Sequence, residues 1–168
     1  IGAGWNAEEL DSHGVVFKDR WKVTRESVLA WRELWTHDEA EYHGEFINFE
    51  KSWSYPKPIT TGGPPVLLGA ESKWAYDRVV DYCDGWMPIN GRGDLGEGLE
   101  ELKASCDRAE RDFSELDLPV FGVGPKEERA TEIIELGFHR LLFNLPPAEA
   151  DVVLPMMDGY AQLAEKLA

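Results

Sequence analysis

The residues best suited to chemistry lie where an apolar run passes into a helix-like segment. The run at residues 66–68 is followed by Gly69, Ala70, Glu71 and Ser72. Small residues at the start of a helix leave the backbone amides open, and the helix dipole favours an anion there. The Ser72 hydroxyl suits both helix capping and a hydrogen bond to phosphate, so both interpretations stay open. A carboxylate repels phosphate, so we expect Glu71 to turn outward to solvent.

A second glycine-containing segment stands at the beginning of the chain, where Gly2, Ala3 and Gly4 precede Trp5. Glycines at the end of a strand let a flat ring or a phosphate approach the backbone closely. A tight turn without any ligand accounts for the same glycines. The pattern alone therefore does not distinguish a binding site from a turn.

A third candidate is Trp86, which lies in the apolar run at residues 85–88. Together with Met87, its side chain is able to line a pocket for an aromatic ring. Packing in the protein core is the commoner fate of tryptophan and methionine, so this alternative also stays open.

The histidines and cysteines give little indication of metal or nucleophilic chemistry. The four histidines lack HxH and HExxH spacing, so we expect no metal site. Two of them, His13 and His43, fall in predicted loops, where they either donate protons or simply face solvent. Cys83 and Cys106 lie outside any CxxC pattern, and we expect two reduced thiols in a cytosolic protein.

The elements that position these residues alternate between short apolar runs and amphipathic segments. Strands are predicted at residues 1–4, 66–68, 85–88, 118–123 and 139–145, and helices at residues 19–35, 72–82, 94–111, 126–136 and 148–167. The last helix is predicted to restart at Pro155, because proline fits a first helical turn. Alternation of this kind predicts a parallel sheet covered by helices, in either a barrel or a doubly wound sheet.

Residues 36–63 interrupt this alternation. The segment is irregular, rich in glycine, proline and aromatic side chains, and longer than an ordinary connection. We expect it to fold back as a loop or lid, with its aromatic part at residues 42–55 shaping a substrate entrance.

Composition narrows the classes of partner. The formal net charge of −15 opposes binding to phosphate backbones and anionic lipid, so we expect no nucleic acid and no membrane partner. The apolar runs are far shorter than the roughly 18 residues needed to span a bilayer, and we expect a cytoplasmic protein. The chain opens at Ile1 within a strand-like run, so we expect further strands upstream of it.

Taken in order, the motifs resemble the luciferase-like monooxygenase family. The order is GxGW, an acidic pair, LWT at residues 34–36, YHGEF at residues 42–46, PPVLLGAES and DGWMP. The similarity is greatest to the actinobacterial branch associated with the deazaflavin coenzyme F-420. The resemblance covers the whole chain and implies an α/β fold of the (β/α)8 TIM-barrel type. Residues 1–168 would then form the C-terminal portion of one barrel domain, from about strand 4 to strand 8.

The resemblance also implies a cofactor site at the strand ends. The residues expected to contact the ring, ribityl tail or phosphate of F-420 or FMN are Gly2, Ala3, Gly4, Trp5, Gly69, Ala70, Ser72 and Trp86. Relatives often have Gly-Gly or Gly-Ser where this chain has residues 69–71, so the resemblance does not carry phosphate contact over to Glu71. The basic candidates near the phosphate are Lys73, Arg78 and Arg92. Catalytic residues are expected upstream of this chain.

The implied function is that of a flavin- or deazaflavin-dependent oxidoreductase or monooxygenase acting on a small organic substrate. An alternative of another class is a non-catalytic partial barrel that serves as a structural or oligomerisation module. Open sheet edges favour pairing, so we expect a homo-oligomer such as a dimer. A doubly wound nucleotide-binding domain is a weaker interpretation, because no strand-to-helix turn carries GxGxxG.

Overall fold

The computed structural model describes residues 1–167, in which short strands alternate with helices. The helices are α1 (Ala7–Ser12), α2 (Arg20–Thr36), α3 (Ala75–Tyr82), α4 (Leu95–Arg108), α5 (Glu127–Glu135) and α6 (Ala150–Leu167). The strands are β1 (Ala40–His43), β2 (Asn48–Ser52), β3 (Leu67–Leu68), β4 (Gly85–Trp86), β5 (Pro119–Val123) and β6 (Arg140–Phe143). None of the helices within these residues has the length and apolar character needed to cross a membrane.

Hydrogen bonding places the parallel segments side by side in chain order. β3 pairs in parallel with β4, and β5 pairs in parallel with β6. Two isolated parallel bridges connect these two pairs. On the other side of β3, the amide of Gly69 donates to the carbonyl of Ile1 over 2.9 Å. The predicted parallel α/β arrangement is therefore confirmed, and the beginning of the chain lies beside β3.

Helix α4 illustrates how the sequence defines these elements locally. The side chain of Asp94 accepts hydrogen bonds from the amides of Gly96 and Glu97 and so caps the first turn. Buried residues then recur at intervals of three and four, at Leu95, Leu99, Leu102 and Cys106. This spacing creates one apolar stripe, which packs into the core.

Burial differs between the two faces of the parallel sheet. Leu68 and Val120 are fully buried and Trp86 is 1% exposed, and all three belong to the core formed with the helices. Their neighbours of opposite parity are more accessible, since Leu67 is half-buried and Phe121 is 40% exposed. Because side chains alternate across a strand, the helices cover one face and leave the other partly open.

The segment at residues 36–63 is more regular than predicted. β1 and β2 form an antiparallel hairpin in which Tyr42 pairs with Phe49, and these rings stack with centroids 6.5 Å apart. Its turn closes through the amide of Gly44, which donates to the carbonyl of Ile47 over 2.9 Å. The expectation of an irregular loop is therefore wrong for residues 40–52, whereas residues 53–63 contain no helix or strand. A tight turn let two short runs of aromatic and polar residues pair with each other, although neither run is apolar enough to be recognised alone.

Two predicted helix boundaries need correction. α3 begins at Ala75 and not at Ser72, because residues 72–74 form a turn closed by the Ala75 amide on the Ser72 carbonyl at 2.7 Å. α6 runs through Pro155 without restarting. A proline inside a helix removes one backbone donor, and the neighbouring turns of α6 continue around it.

Candidate functional site

The predicted site segments meet at the carboxyl edge of the parallel sheet. Because β3 and β4 run in parallel, the loops that follow them emerge at the same edge. The bond from Gly69 to Ile1 places the beginning of the chain beside the loop after β3. The residue before Gly2 is therefore bonded to Gly69, although the two segments line separate cavities.

The loop at residues 69–73 presents several unused hydrogen-bond donors. The Gly69 amide is occupied by Ile1, whereas the amides of residues 70–73 have no acceptor within residues 1–167. The Ser72 hydroxyl likewise makes no hydrogen bond to the part of the chain that the structure describes, and the residue is exposed. The amide of Gly69 is therefore not available to a ligand, and the free hydrogen-bond donors of the loop belong to residues 70–73.

Two hydrogen bonds hold this loop in place, one from β4 and one from the segment that follows it. The indole Nε1 of Trp86 donates to the carbonyl of Ala70 over 2.9 Å. Three residues further on, the amide of Ile89 donates to Oε1 of Glu71 over 2.8 Å. Glu71 is exposed, as expected, but its carboxylate does not only face solvent, because it also accepts the amide of Ile89 in the segment after β4.

A cavity of about 340 Å³ lies beside the loop at residues 69–73. Its walls come from the loop after β3, the turn after β4 and the first turns of α3 and α4: Glu71, Lys73, Tyr76, Trp86, Arg92, Gly93, Asp94, Leu95, Glu97, Gly98 and Glu101. We call it the edge cavity. It is the place where the loop donors and basic side chains come closest to forming a binding site.

The charge of the edge cavity is mixed. Four of its lining residues are carboxylates and two, Lys73 and Arg92, are cations. Within residues 1–167 neither cation takes part in an ion pair, and the ammonium of Lys73 lies 4.7 Å from the Trp74 ring centroid. Burial, reinforced by neighbouring carboxylates, raises the pKa of Tyr76, so its hydroxyl is neutral. Two unpaired cations therefore face a site that otherwise disfavours anions.

Arg78, the third basic candidate, is positioned differently. Its guanidinium lies 4.1 Å from the ring centroid of Trp21, a residue of α2. Burial lowers the pKa of this guanidinium, and the residue does not line the edge cavity. Arg78 therefore packs two helices together.

A second cavity, of about 310 Å³, surrounds the glycine-containing segment at the beginning of the chain. Gly2, Ala3 and Gly4 line it together with His13. Gly2 has no heavy atom within 4 Å of where a β carbon would stand, so the backbone is open there. Gly4 has a φ of +78°, which side chains rarely adopt. Trp5 is 87% exposed, and its ring is free to meet a ligand or solvent.

Trp86 lies on the helix side of the sheet. Its ring makes an edge contact with Tyr76, at a centroid distance of 5.4 Å, and lies 5.9 Å from Phe138. Because it is only 1% exposed, the ring has no free face for a flat ligand. Its connection to the site is the indole N–H on Ala70, which the sequence alone did not reveal.

The hairpin packs against α2. Its main contacts are with α2, where the Glu26 carboxylate accepts the amides of residues 45–47 at 2.8 to 2.9 Å. His43 lies in β1 and not in a loop, with its Nε2 3.7 Å from Glu41. Ligand atoms of Glu41, His43 and Glu50 lie within 4.8 Å of one another, all exposed. The aromatic segment thus covers a helix and does not reach the edge cavity through these contacts.

Comparisons with known proteins agree with this arrangement. The family model described as luciferase-like monooxygenase matches residues 1–155. An uncharacterised protein of Mycobacterium tuberculosis is 33% identical over 168 residues, which is 100% of this chain and 58% of that protein. The chain therefore spans little more than half the length of this relative.

Two further similarities concern proteins with stated activities. The FMNH(2)-dependent dimethylsulfone monooxygenase of Pseudomonas putida is 28% identical over 110 residues, covering 64% of this chain and 29% of that enzyme. The structure of an F-420-dependent secondary alcohol dehydrogenase with an F-420–acetone adduct superimposes with a TM-score of 0.58 at 15% identity, covering 97% of this chain and 60% of that one. At this identity the structural similarity establishes the fold alone.

Proposed function

Because the chain belongs to the luciferase-like monooxygenase family, we propose that it forms part of a flavin- or deazaflavin-dependent oxidoreductase that acts on a small organic substrate. The observation that carries this proposal is the loop at residues 69–73, which has free amides and a free hydroxyl and borders, through Glu71 and Lys73, a cavity that Arg92 also lines. A donor set of this kind fits a phosphate group, which both FMN and F-420 contain.

The parallel segments would belong to a larger barrel. We assign residues 1–168 to the C-terminal portion of one (β/α)8 domain, from about strand 4 to strand 8. Three observations support the assignment: the segments lie in chain order, one sheet face is partly open, and the tuberculosis relative extends beyond the matched region. The open face would then become the barrel interior.

The phosphate of the cofactor would be held at the edge cavity. The amides of residues 70–73 and the hydroxyl of Ser72 would donate to its oxygens, with Lys73 and Arg92 supplying positive charge. The open backbone at Gly2 and the exposed ring of Trp5 would lie towards the ribityl tail or ring system. Ala3, Gly4, Gly69 and Ala70 would shape the backbone path, while Trp86 would act through its bond to Ala70.

The cofactor and the protein would have different roles in the reaction. Bound reduced flavin or deazaflavin supplies the reducing equivalents, as hydride for a substrate or as electrons for oxygen. The residues of this chain bind the phosphate, orient the tail and keep the loop ordered. We assign no catalytic residue within residues 1–168, and those of the whole protein would lie in the remaining part of the barrel.

FMN and F-420 differ in the charge that the edge cavity would have to accommodate. FMN ends in a phosphate, whereas F-420 continues into a tail of carboxylates, which the four acidic residues around the edge cavity would repel. The two cations offset part of this repulsion. We therefore propose both cofactors, with FMN favoured by the charge of this half and F-420 by the resemblance of the motifs to the actinobacterial F-420 branch.

The direct test is a fluorescence titration of the full-length protein with FMN and, separately, with F-420. We expect saturable binding of one of them, and about three- to tenfold weaker binding after Ser72→Ala, which removes one donor to the phosphate. Gly69→Val should weaken it further, because a branched side chain would enter the loop. Ser52→Ala, on the hairpin, is the matched control. Unchanged affinity in both site variants would place the phosphate elsewhere.

Oligomerisation is a separate part of the proposal. The exposed apolar side chains on the chain, among them Phe121 at 40% exposure, favour a homo-oligomer. The non-catalytic alternative, a partial barrel serving as an oligomerisation module, predicts assembly without cofactor binding. Light scattering together with the cofactor titration separates the two, because the module would assemble without binding cofactor, whereas an enzyme would bind it in whatever oligomeric state it adopts.

A further inference from the structure

The hydrogen bond between Glu71 and Ile89 connects two loops that face one cavity. Glu71 belongs to the loop after β3, and Ile89 begins the turn that contains Arg92. The amide of Arg92 donates to the carbonyl of Ile89 over 3.0 Å, so this turn is compact. Lys73 stands two residues beyond Glu71 in the same loop and also lines the edge cavity. The carboxylate therefore connects the loop that carries Lys73 to the turn that carries Arg92.

Glu71 has a second property that the geometry reveals. One carboxylate oxygen is used by the Ile89 amide, and the other points towards Gly93, within 3.9 Å of where a β carbon would stand. The negative charge consequently remains at the wall of the edge cavity. A bound phosphate would experience both the order that Glu71 creates and the repulsion of its charge.

We propose that Glu71 is a positioning residue for the anion-binding loop. Its carboxylate holds the amides of residues 70–73 and the turn of Arg92 in fixed relative positions, and its negative charge lowers the affinity of the site for anions. The benefit comes from its hydrogen-bond acceptor and the cost from its charge. These two contributions are separable by substitution, since glutamine keeps the acceptor and removes the charge, whereas alanine removes both.

The first experiment tests the hydrogen bond between Glu71 and Ile89 in the absence of any ligand. Hydrogen exchange of the full-length protein should show faster exchange for residues 89–94 in Glu71→Ala, by about tenfold, because the Ile89 amide loses its acceptor. Glu71→Gln should exchange like the unmodified protein. Equal exchange in the alanine and glutamine variants would overturn the proposal, whether or not the protein binds a flavin.

The second experiment measures binding and rests on the proposed function. The probes are two pairs, each with one phosphate-containing and one phosphate-free member. FMN is paired with riboflavin, and F-420 is paired with its ring–ribityl portion. Glu71→Gln should bind the phosphate-containing probe about threefold more tightly than the unmodified protein, because one repelling charge is removed. Glu71→Ala should bind it about tenfold more weakly than Glu71→Gln, since the two variants carry the same charge and differ in the acceptor.

The phosphate-free probes distinguish positioning from general damage. If Glu71 positions the phosphate loop, the riboflavin affinity stays within about twofold in all variants. Parallel losses for both probes would mean that the substitution merely unfolds the edge of the sheet, and the proposal would fail. If the unmodified protein binds neither cofactor, the proposed function fails, while the exchange measurement still decides the role of Glu71.

Discussion

The indole N–H of Trp86 donates to the carbonyl of Ala70 across 2.9 Å, and this bond connects the buried core to the loop that carries the free amides. Trp86 itself is almost completely buried among Tyr76, Phe138 and α4. Changes in core packing should therefore reach the proposed binding site directly.

Replacing Trp86 by phenylalanine tests this connection. The variant loses the bond to Ala70 and leaves a small cavity, so the free energy of unfolding should fall by about 2 kcal/mol. The exposed Trp53, at 79%, is the matched control, and Trp53→Phe should change stability by less than about 0.5 kcal/mol. Urea denaturation measures both. Equal effects would show that the Trp86 ring adds nothing specific.

A pair of helical glycines tests the packing around the same ring. A β carbon at Gly98, in α4, would overlap the Trp86 ring, whereas one at Gly159, in α6, would meet no heavy atom within 4 Å. Gly98→Ala should lower the free energy of unfolding by about 2 kcal/mol through overpacking. Gly159→Ala should raise it by about 0.5–1 kcal/mol through helix propensity. Thermal or urea unfolding of the two variants checks the opposite signs.

The Glu26 carboxylate should make stability depend on pH. Burial raises its pKa, but the hydrogen bonds from the amides of residues 45–47 outweigh burial and lower it below the ordinary value of 4.5. Because the pKa of Glu26 is lower in the folded state than in the unfolded chain, its ionised carboxylate stabilises the fold at pH values above 4.5. This contribution is lost as the pH falls from there through the pKa of the folded state. Glu26→Gln should therefore be less stable at pH 7 by about 1 kcal/mol and lose less stability on acidification.

Urea unfolding at pH 7, 5 and 3.5 gives the required comparison. Glu50→Gln, at an exposed position of the hairpin, is the control, because within residues 1–167 the Glu50 carboxylate accepts no hydrogen bond from a backbone amide. If the Glu26 variant and the control lose stability in parallel as the pH falls, the amide bonds do not produce the pH dependence.

The two unpaired cations of the edge cavity should contribute to affinity through charge. Lys73→Gln and Arg92→Gln should each weaken binding of the phosphate-containing cofactor by about three- to tenfold and leave riboflavin unaffected. The effect should shrink at 1 M salt, because the interaction is screened there. Lys103→Gln is the control, since Lys103 pairs with Glu100 on the surface of α4. Titrations at low and high salt measure the difference, and a salt-independent loss would argue against a charge effect.

Much of the fold could be predicted because its signals are local. The alternation of apolar runs with amphipathic helices needs only neighbouring residues, and the parallel order of β3 to β6 followed from it. The same holds for the small residues after β3, whose position before a predicted helix led to the hypothesis of an anion site. The hairpin was missed because each of its strands is short and half-polar, and only their pairing and the Glu26 contacts stabilise them.

The sequence by itself determined the order of the elements and the place where backbone donors accumulate. Only the tertiary structure decided which way the side chains of that region turn. Trp86 faces the helices because of the register of β4, and Glu71 turns towards Ile89, 18 residues away along the chain. A side chain turns towards whichever partner the fold brings near, and no local periodicity contains that information.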